Sequence, residues 1–182
     1  IGIVTTVPVN HATPGAFYAS SASREDYYDI SKQILKSEFE FFAGSGFLDF
    51  KGKKGEEEPI DAYLEKNGYE VSYGLKEFWN EAEGKDKMIL CQESNRAESA
   101  GNYISSGAIA ADATLAEMLS CGIEYLGDKE PFFIMCEGGD IDWESHSSFT
   151  MPMIEKVINF DNAIAVAYEF YKTHPEETLI VV

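Results

Sequence analysis

The sequence predicts an α/β fold: a mostly parallel sheet with helices on both faces. Short, β-rich apolar runs end in polar or glycine-bearing turns, and segments with helical caps and helical apolar spacing separate them. Strands that alternate with helices are joined by crossovers, which suit parallel pairing between helical layers. With 182 residues, 45% hydrophobic and 13% aromatic, the chain can build one sizeable core. Residues 1–182 therefore read as one α/β domain or part of one.

In chain order, Ile1 to Val9 (IGIVTTVPV) is the first strand, and it runs into the polar cluster Asn10-His11-Ala12-Thr13-Pro14. Ser23 and Asp26 can cap a helix that turns Ile30, Ile34 and Leu35 inward. Phe39 to Ala43 is a short apolar run broken by Gly44 and Gly46. Residues 49–58 (DFKGKKGEEE) are charged and glycine-bearing, and are expected to form an exposed loop. Pro59 opens a short helix that Asn67-Gly68 closes. Tyr69 to Tyr73 and Met88 to Cys91 are the next two strands, and residues 92–113 are small, polar and irregular. Thr114 and Glu117 form a capping box ahead of an apolar face made by Leu115, Met118, Leu119, Ile123 and Leu126. The strand Pro131 to Cys136 follows, then a helix through Met153, Ile154, Val157 and Ile158 to Tyr171, and a terminal strand.

Composition narrows the function. A formal charge of −18 with only 14 Lys and Arg argues against a nucleic-acid footprint or an anionic-membrane patch. No span reaches the roughly 18 apolar residues of a membrane helix. Cys91, Cys121 and Cys136 form no C-x-x-C pair, so buried thiols are expected.

The chemistry-bearing stretch is Glu137-Gly138-Gly139-Asp140-Ile141-Asp142-Trp143-Glu144-Ser145-His146. Glu137 stands at the carboxyl end of a strand, the diglycine turns the chain, and a helix from near Asp142 puts Asp142 and His146 at i and i+4 on one face. A carboxylate oxygen and an imidazole nitrogen placed so can grip one divalent cation. The competing reading is a solvated helix face with no ligand. Open α/β sheets bind ligands beyond the carboxyl ends of their strands, which favours the cation.

Taken with residues 3–14 (IVTTVPVNHATP) and an arginine thirteen residues after His11, the pattern E-G-G-x-I-D-x-x-x-H resembles the alkaline phosphatase family. Leu115-Ala116-Glu117-Met118 ahead of Pro131 to Gly139, and Phe160-Asp161-Asn162-Ala163 ahead of Thr178 to Val182, fall in the order that family shows. The resemblance implies that Asp142 and His146 are ligands of one of two Zn²⁺ ions. It implies Glu137 and Thr13 as ligands of a neighbouring Mg²⁺ site, and Arg24 as the fork that holds two phosphate oxygens. By itself Arg24 reads as a surface arginine. His11 and Trp143 occupy positions that vary within the family, and the His and Trp combination is similar to one bacterial branch. It leaves the third metal open between magnesium, zinc and a weakly held ion, and His11 open between that role and a local cap or hydrogen bond.

The resemblance further implies hydrolysis of phosphate monoesters through a phosphoserine, a homodimer as one arrangement of the parent, and a periplasmic or extracellular location. The family's serine nucleophile, in an Asp-Ser-Ala context, and its later Thr-Ala-Asp-His motif are not among these residues. Glu98-Ser99-Ala100 imitates the first but comes too late in the order. An apolar start and the end Leu179-Ile180-Val181-Val182 predict a piece truncated at both ends, because termini are normally solvated. Such a piece is expected to be inactive in isolation. The rival readings are a related phosphodiesterase, sulfatase or cofactor-independent phosphoglycerate mutase, and a non-catalytic scaffold that binds metal weakly or not at all.

Overall fold

The computed structural model describes residues 1–95, 112–127 and 131–182. Five strands, β1 (Gly2–Thr5), β2 (Phe41–Gly44), β3 (Glu70–Tyr73), β4 (Met88–Cys91) and β5 (Ile134–Glu137), form one sheet in the order β3-β4-β2-β1-β5. All four pairings are parallel. The helices are α1 (Ala12–Tyr18), α2 (Tyr27–Lys32), α3 (Ile34–Ser37), α4 (Ile60–Lys66), α5 (Leu75–Glu81), α6 (Leu115–Gly127), α7 (Asp140–His146) and α8 (Thr150–Thr173).

Strand alternation builds two cores. Val4, Phe41, Ala43, Met88 and Leu90 face one side, where they meet Phe78 of α5, Leu115 and Met118 of α6, and Ala163 of α8. Ile3, Phe42, Val71, Ile89 and Cys91 face the other, against Tyr28, Ile34, Ile60 and Leu64. Residues of one strand point to opposite faces in turn, so burying both faces produces the near-continuous apolar runs seen in the sequence. The fold is the expected doubly covered parallel sheet. None of the described helices is long and apolar enough to cross a membrane.

The capping box forms as expected. Thr114 N and Oγ1 both donate to Glu117 Oε2, at 2.8 Å each, and Glu117 N donates to Thr114 Oγ1 at 3.2 Å. Pro59 and Asn67 flank α4, and residues 49–58 form turns at the surface. Residues 96–111, with most of the expected irregular stretch and the Glu98-Ser99-Ala100 imitation, lie outside the described residues.

Four local expectations are corrected. The one helix expected to carry Ile30, Ile34 and Leu35 is two short helices, α2 and α3, and the Asp26 side chain at the N-terminus of α2 makes no capping bond. The single helix expected after β5 is two helices, because Ser148 takes a left-handed backbone (φ 56°) between α7 and α8. Residues 178–182 form no strand and are unpaired with the sheet, with Leu179, Val181 and Val182 exposed and Thr178 and Ile180 half-buried, although their composition is β-rich. Finally, α1 occupies the segment read as a polar cluster. Pro14 sits in its first turn, where no intrahelical N–H is lost, so a proline does not prevent the helix.

Candidate metal centre

Register places the chemistry. β1 and β5 are neighbours with Thr5 opposite Glu137, so the segments leaving both strands emerge side by side at the carboxyl edge of the sheet. Thr5 Oγ1 donates to Glu137 Oε2 at 2.7 Å and accepts from Val7 N at 3.2 Å. Thr6 N donates to the Glu137 carbonyl at 3.1 Å, extending the pairing one residue beyond β1. The strand-end carboxylate is therefore aimed and held by the strand beside it.

The diglycine serves space rather than an unusual turn. Gly139 has an ordinary helical backbone (φ −67°, ψ −24°), but a Cβ there would stand 2.7 Å from Val7 Cγ1 and 3.2 Å from Glu137 Cδ. At Gly138 it would meet Ile141 Cδ1 at 3.0 Å and Phe160 Cδ2 at 3.2 Å. Only glycine lets the start of α7 press this closely against the segment after β1. The helix begins at Asp140, two residues earlier than the sequence suggests, without disturbing the i, i+4 relation of Asp142 and His146.

Those two side chains face each other. His146 Nε2 lies 3.4 Å from Asp142 Oδ2, with the side chains 78% and 72% exposed. Two ligands about 2.05 Å from one tetrahedral zinc stand roughly 3.3 Å apart, so the pair already has the bite of a chelate. The donor types, one carboxylate and one imidazole nitrogen, suit zinc as well. Among the described residues no three His, Cys, Asp or Glu side chains converge into a metal-holding group, so the pair is at most this chain's share of a site.

The segment after β1 supplies a second cluster. Asn10, fully buried, donates from Nδ2 to Ser31 Oγ and to the Leu48 carbonyl at 2.9 Å each, and accepts from Leu48 N at 3.0 Å. It fixes the base from which His11 projects. His11 sits at the N-terminus of α1 without a side-chain capping bond, so of the two local roles only hydrogen bonding is seen. Its ring meets Trp143 edge to face, with centroids 5.2 Å apart. Arg24 Nη2 donates to His11 Nε2 at 3.1 Å, and because a guanidinium only donates, that nitrogen is the unprotonated one. Burial first, then the Arg24 charge, lower the His11 pKa, while Glu137 and Asp142 pull it upward. The imidazole thus feels groups from both segments at once.

The expected site residues are gathered unequally. His11 touches both Arg24 and Trp143, Asp142 and His146 are paired, and Glu137 is tied to Thr5. Arg24 is exposed and lines a shallow hollow of about 340 Å³ with His11, Gly15, Ala19 and Ser20. Thr13 is exposed in the first turn of α1 and, among the described residues, is not hydrogen-bonded to the other candidates. Sequence reasoning missed Thr5, Thr6, Asp140 and Lys156. Thr6 Oγ1 donates to buried Asp140 Oδ1 at 2.7 Å, and Lys156 Nζ lies 3.2 Å from Asp140 Oδ2. A Thr-Thr pair closing an apolar run was visible, but its partners more than 130 residues away were not.

Residues 96–182 match the family model for alkaline phosphatase. Alkaline phosphatase 4 of Bacillus subtilis is 27% identical over 196 residues, 99% of this chain and 38% of that protein. The tissue-nonspecific alkaline phosphatase of Homo sapiens is 27% identical over 223 residues, 100% of this chain and 41% of that protein. The chain thus spans about two fifths of the length of these curated relatives. Among solved structures, alkaline phosphatase from the Antarctic bacterium TAB5 superposes with a TM-score of 0.75 at 28% identity, over 95% of this chain and 49% of that one. A histidine-to-glutamate variant of that enzyme, also at a TM-score of 0.75, was solved with Mg bound. Residues 96–182 match the alkaline phosphatase model and 95% of the chain shares the fold of the TAB5 enzyme, so the chain is similar to alkaline phosphatases in both sequence and fold.

Proposed function

We propose that this chain forms one wall of the active site of a metal-dependent phosphate monoester hydrolase that works through a phosphoserine, with the nucleophile supplied by residues outside the chain. The observation that supports this best is the Asp142–His146 pair, preset at 3.4 Å on α7. When bound, paired Zn²⁺ would supply Lewis-acid stabilisation of the phosphate and leaving-group oxygens, and Mg²⁺ further positive charge nearby. Asp142 and His146 hold one zinc. Glu137, oriented by Thr5, and Thr13 on α1 serve the magnesium, with His11 and Trp143 beside them.

Arg24 handles the substrate. Its guanidinium gives one N–H to His11 and keeps others for two phosphate oxygens, so the imidazole orients the fork without occupying it. This matters in a chain of charge −18, whose overall field repels a phosphate ester. Local cations at the rim offset that field where the ester binds. A periplasmic or extracellular location and a homodimer belong to the same reading.

The test uses the complete protein. Asp142→Ala or His146→Ala is expected to cut phosphate monoester hydrolysis by orders of magnitude, and near-normal turnover in either variant would refute the assignment. Arg24→Lys is expected to lower kcat/KM about 10–100-fold, the weight of a lost charge-assisted hydrogen bond of about 1.5–3 kcal/mol. Parallel assays on a diester and a sulfate ester separate this reading from the related hydrolases.

A further inference from the structure

Between Glu137 and Asp142 lies a charged group that the metal reading does not use. Asp140, the first residue of α7, is 3% exposed, Lys156 of α8 is 6% exposed and Thr6 is 1% exposed. Thr6 Oγ1 donates to Asp140 Oδ1 at 2.7 Å and accepts from Asp140 N at 3.2 Å, a reciprocal bond between the end of β1 and the start of α7. Lys156 Nζ approaches the other oxygen, Oδ2, to 3.2 Å, an ion pair without an aligned hydrogen bond. Burying both charges costs desolvation that an apolar pair of equal volume would avoid. What the ion pair adds is direction.

That direction is needed here. α7 has seven residues, too few to be stable alone, and Asp140 is its one buried residue. The helix that carries Asp142 and His146 is thus anchored in the interior through a carboxylate. The adjacent threonines divide the work: Thr5 holds Glu137 and Thr6 holds Asp140. We propose that Thr6, Asp140 and Lys156 are positioning residues, a buried clamp that fixes the rotation and tilt of α7 and so presets Asp142 and His146 as a chelating pair. Its consequence for zinc rests on the metal reading above. The clamp itself does not.

Two measurements on the full chain test this: amide exchange of α7 without metal, and zinc affinity by competition with a chromophoric chelator. Thr6→Val and Lys156→Met should each speed exchange in α7 at least tenfold while β2 and β4 stay protected. Each should weaken zinc binding about tenfold, as loss of an outer-sphere support typically does. Lys156→Arg should recover most of both. The neutral pair Asp140→Asn with Lys156→Met should regain global stability but not zinc affinity, a split that a purely packing role would not produce. Unchanged α7 exchange in Thr6→Val and Lys156→Met, or parental zinc affinity in the neutral pair, overturns the proposal. Asp142→Ala with His146→Ala is the control. If zinc binding survives that double change the metal reading fails, while the exchange data still decide the clamp.

Discussion

At the level of single residues, close approach rather than backbone freedom explains the diglycine. Gly139→Ala keeps an allowed backbone but drives its methyl against Val7, which is fully buried and cannot withdraw. It should cost about 1–3 kcal/mol, the usual penalty of overpacking, read as a lower urea midpoint at unchanged slope. Adding Val7→Ala should return part of that loss. The thiols supply a second expectation. Burial pushes the Cys121 thiol up to about 12 and that of Cys91 higher still, so almost no thiolate exists at pH 8. Native protein should therefore resist iodoacetamide at both positions, and urea-unfolded protein should not. The sequence disclosed the Asp142–His146 pair because helical spacing is local. It concealed Asp140 as an anchor because the partners, Thr6 and Lys156, are brought in by strand register and helix docking.

Among the elements, those with chemical punctuation were readable. The Thr114–Glu117 box, Pro59 and Asn67-Gly68 each satisfy or forgo backbone groups at a helix end, and α6 and α4 lie where they predict. Thr114→Ala should cost about 1 kcal/mol, measurable by thermal unfolding. Elements without punctuation were missed. α5 is seven residues with only Phe78 buried, too short to show a period, and Gly74 at its N-terminus offers no capping side chain. The break between α7 and α8 was equally hidden, since nothing in Ser147-Ser148 marks a left-handed residue. Ser148→Gly should accordingly be neutral or stabilising by up to about 1 kcal/mol, because glycine adopts φ 56° without steric cost. A clear destabilisation there would show that the serine side chain has another role.

For the molecule as a whole, the two-sided core was legible and its outer boundary was not. Apolar strands alternating with capped helices specify a parallel sheet, but not which strand ends it. β5 stands at one edge, and α8 leaves Met151 (66%), Ile158 (54%) and Tyr168 (53%) exposed, as are Leu179 and Val181 beyond it. Apolar surface on this scale favours association. The charge of −18 opposes it at low ionic strength and is screened at high. Light scattering on this chain should thus show mass rising with salt, and Ile158→Lys with Val181→Lys should suppress the rise.

The pairing of β1 with β5 joins Thr5 to a residue 132 positions away, whereas Val71 and Ile89 of the β3–β4 pair are close neighbours along the chain. Chain-entropy scaling makes the longer closure about 2 kcal/mol harder to achieve from an unfolded start. Loop closure thus favours early pairing of β3 with β4, and the rim bearing Glu137 is expected among the last contacts of refolding, which pulse-labelled amide exchange would check. If Asp142 and His146 hold zinc as proposed, metal added before refolding would meet the finished rim late and would first encounter the many exposed carboxylates of a chain of charge −18.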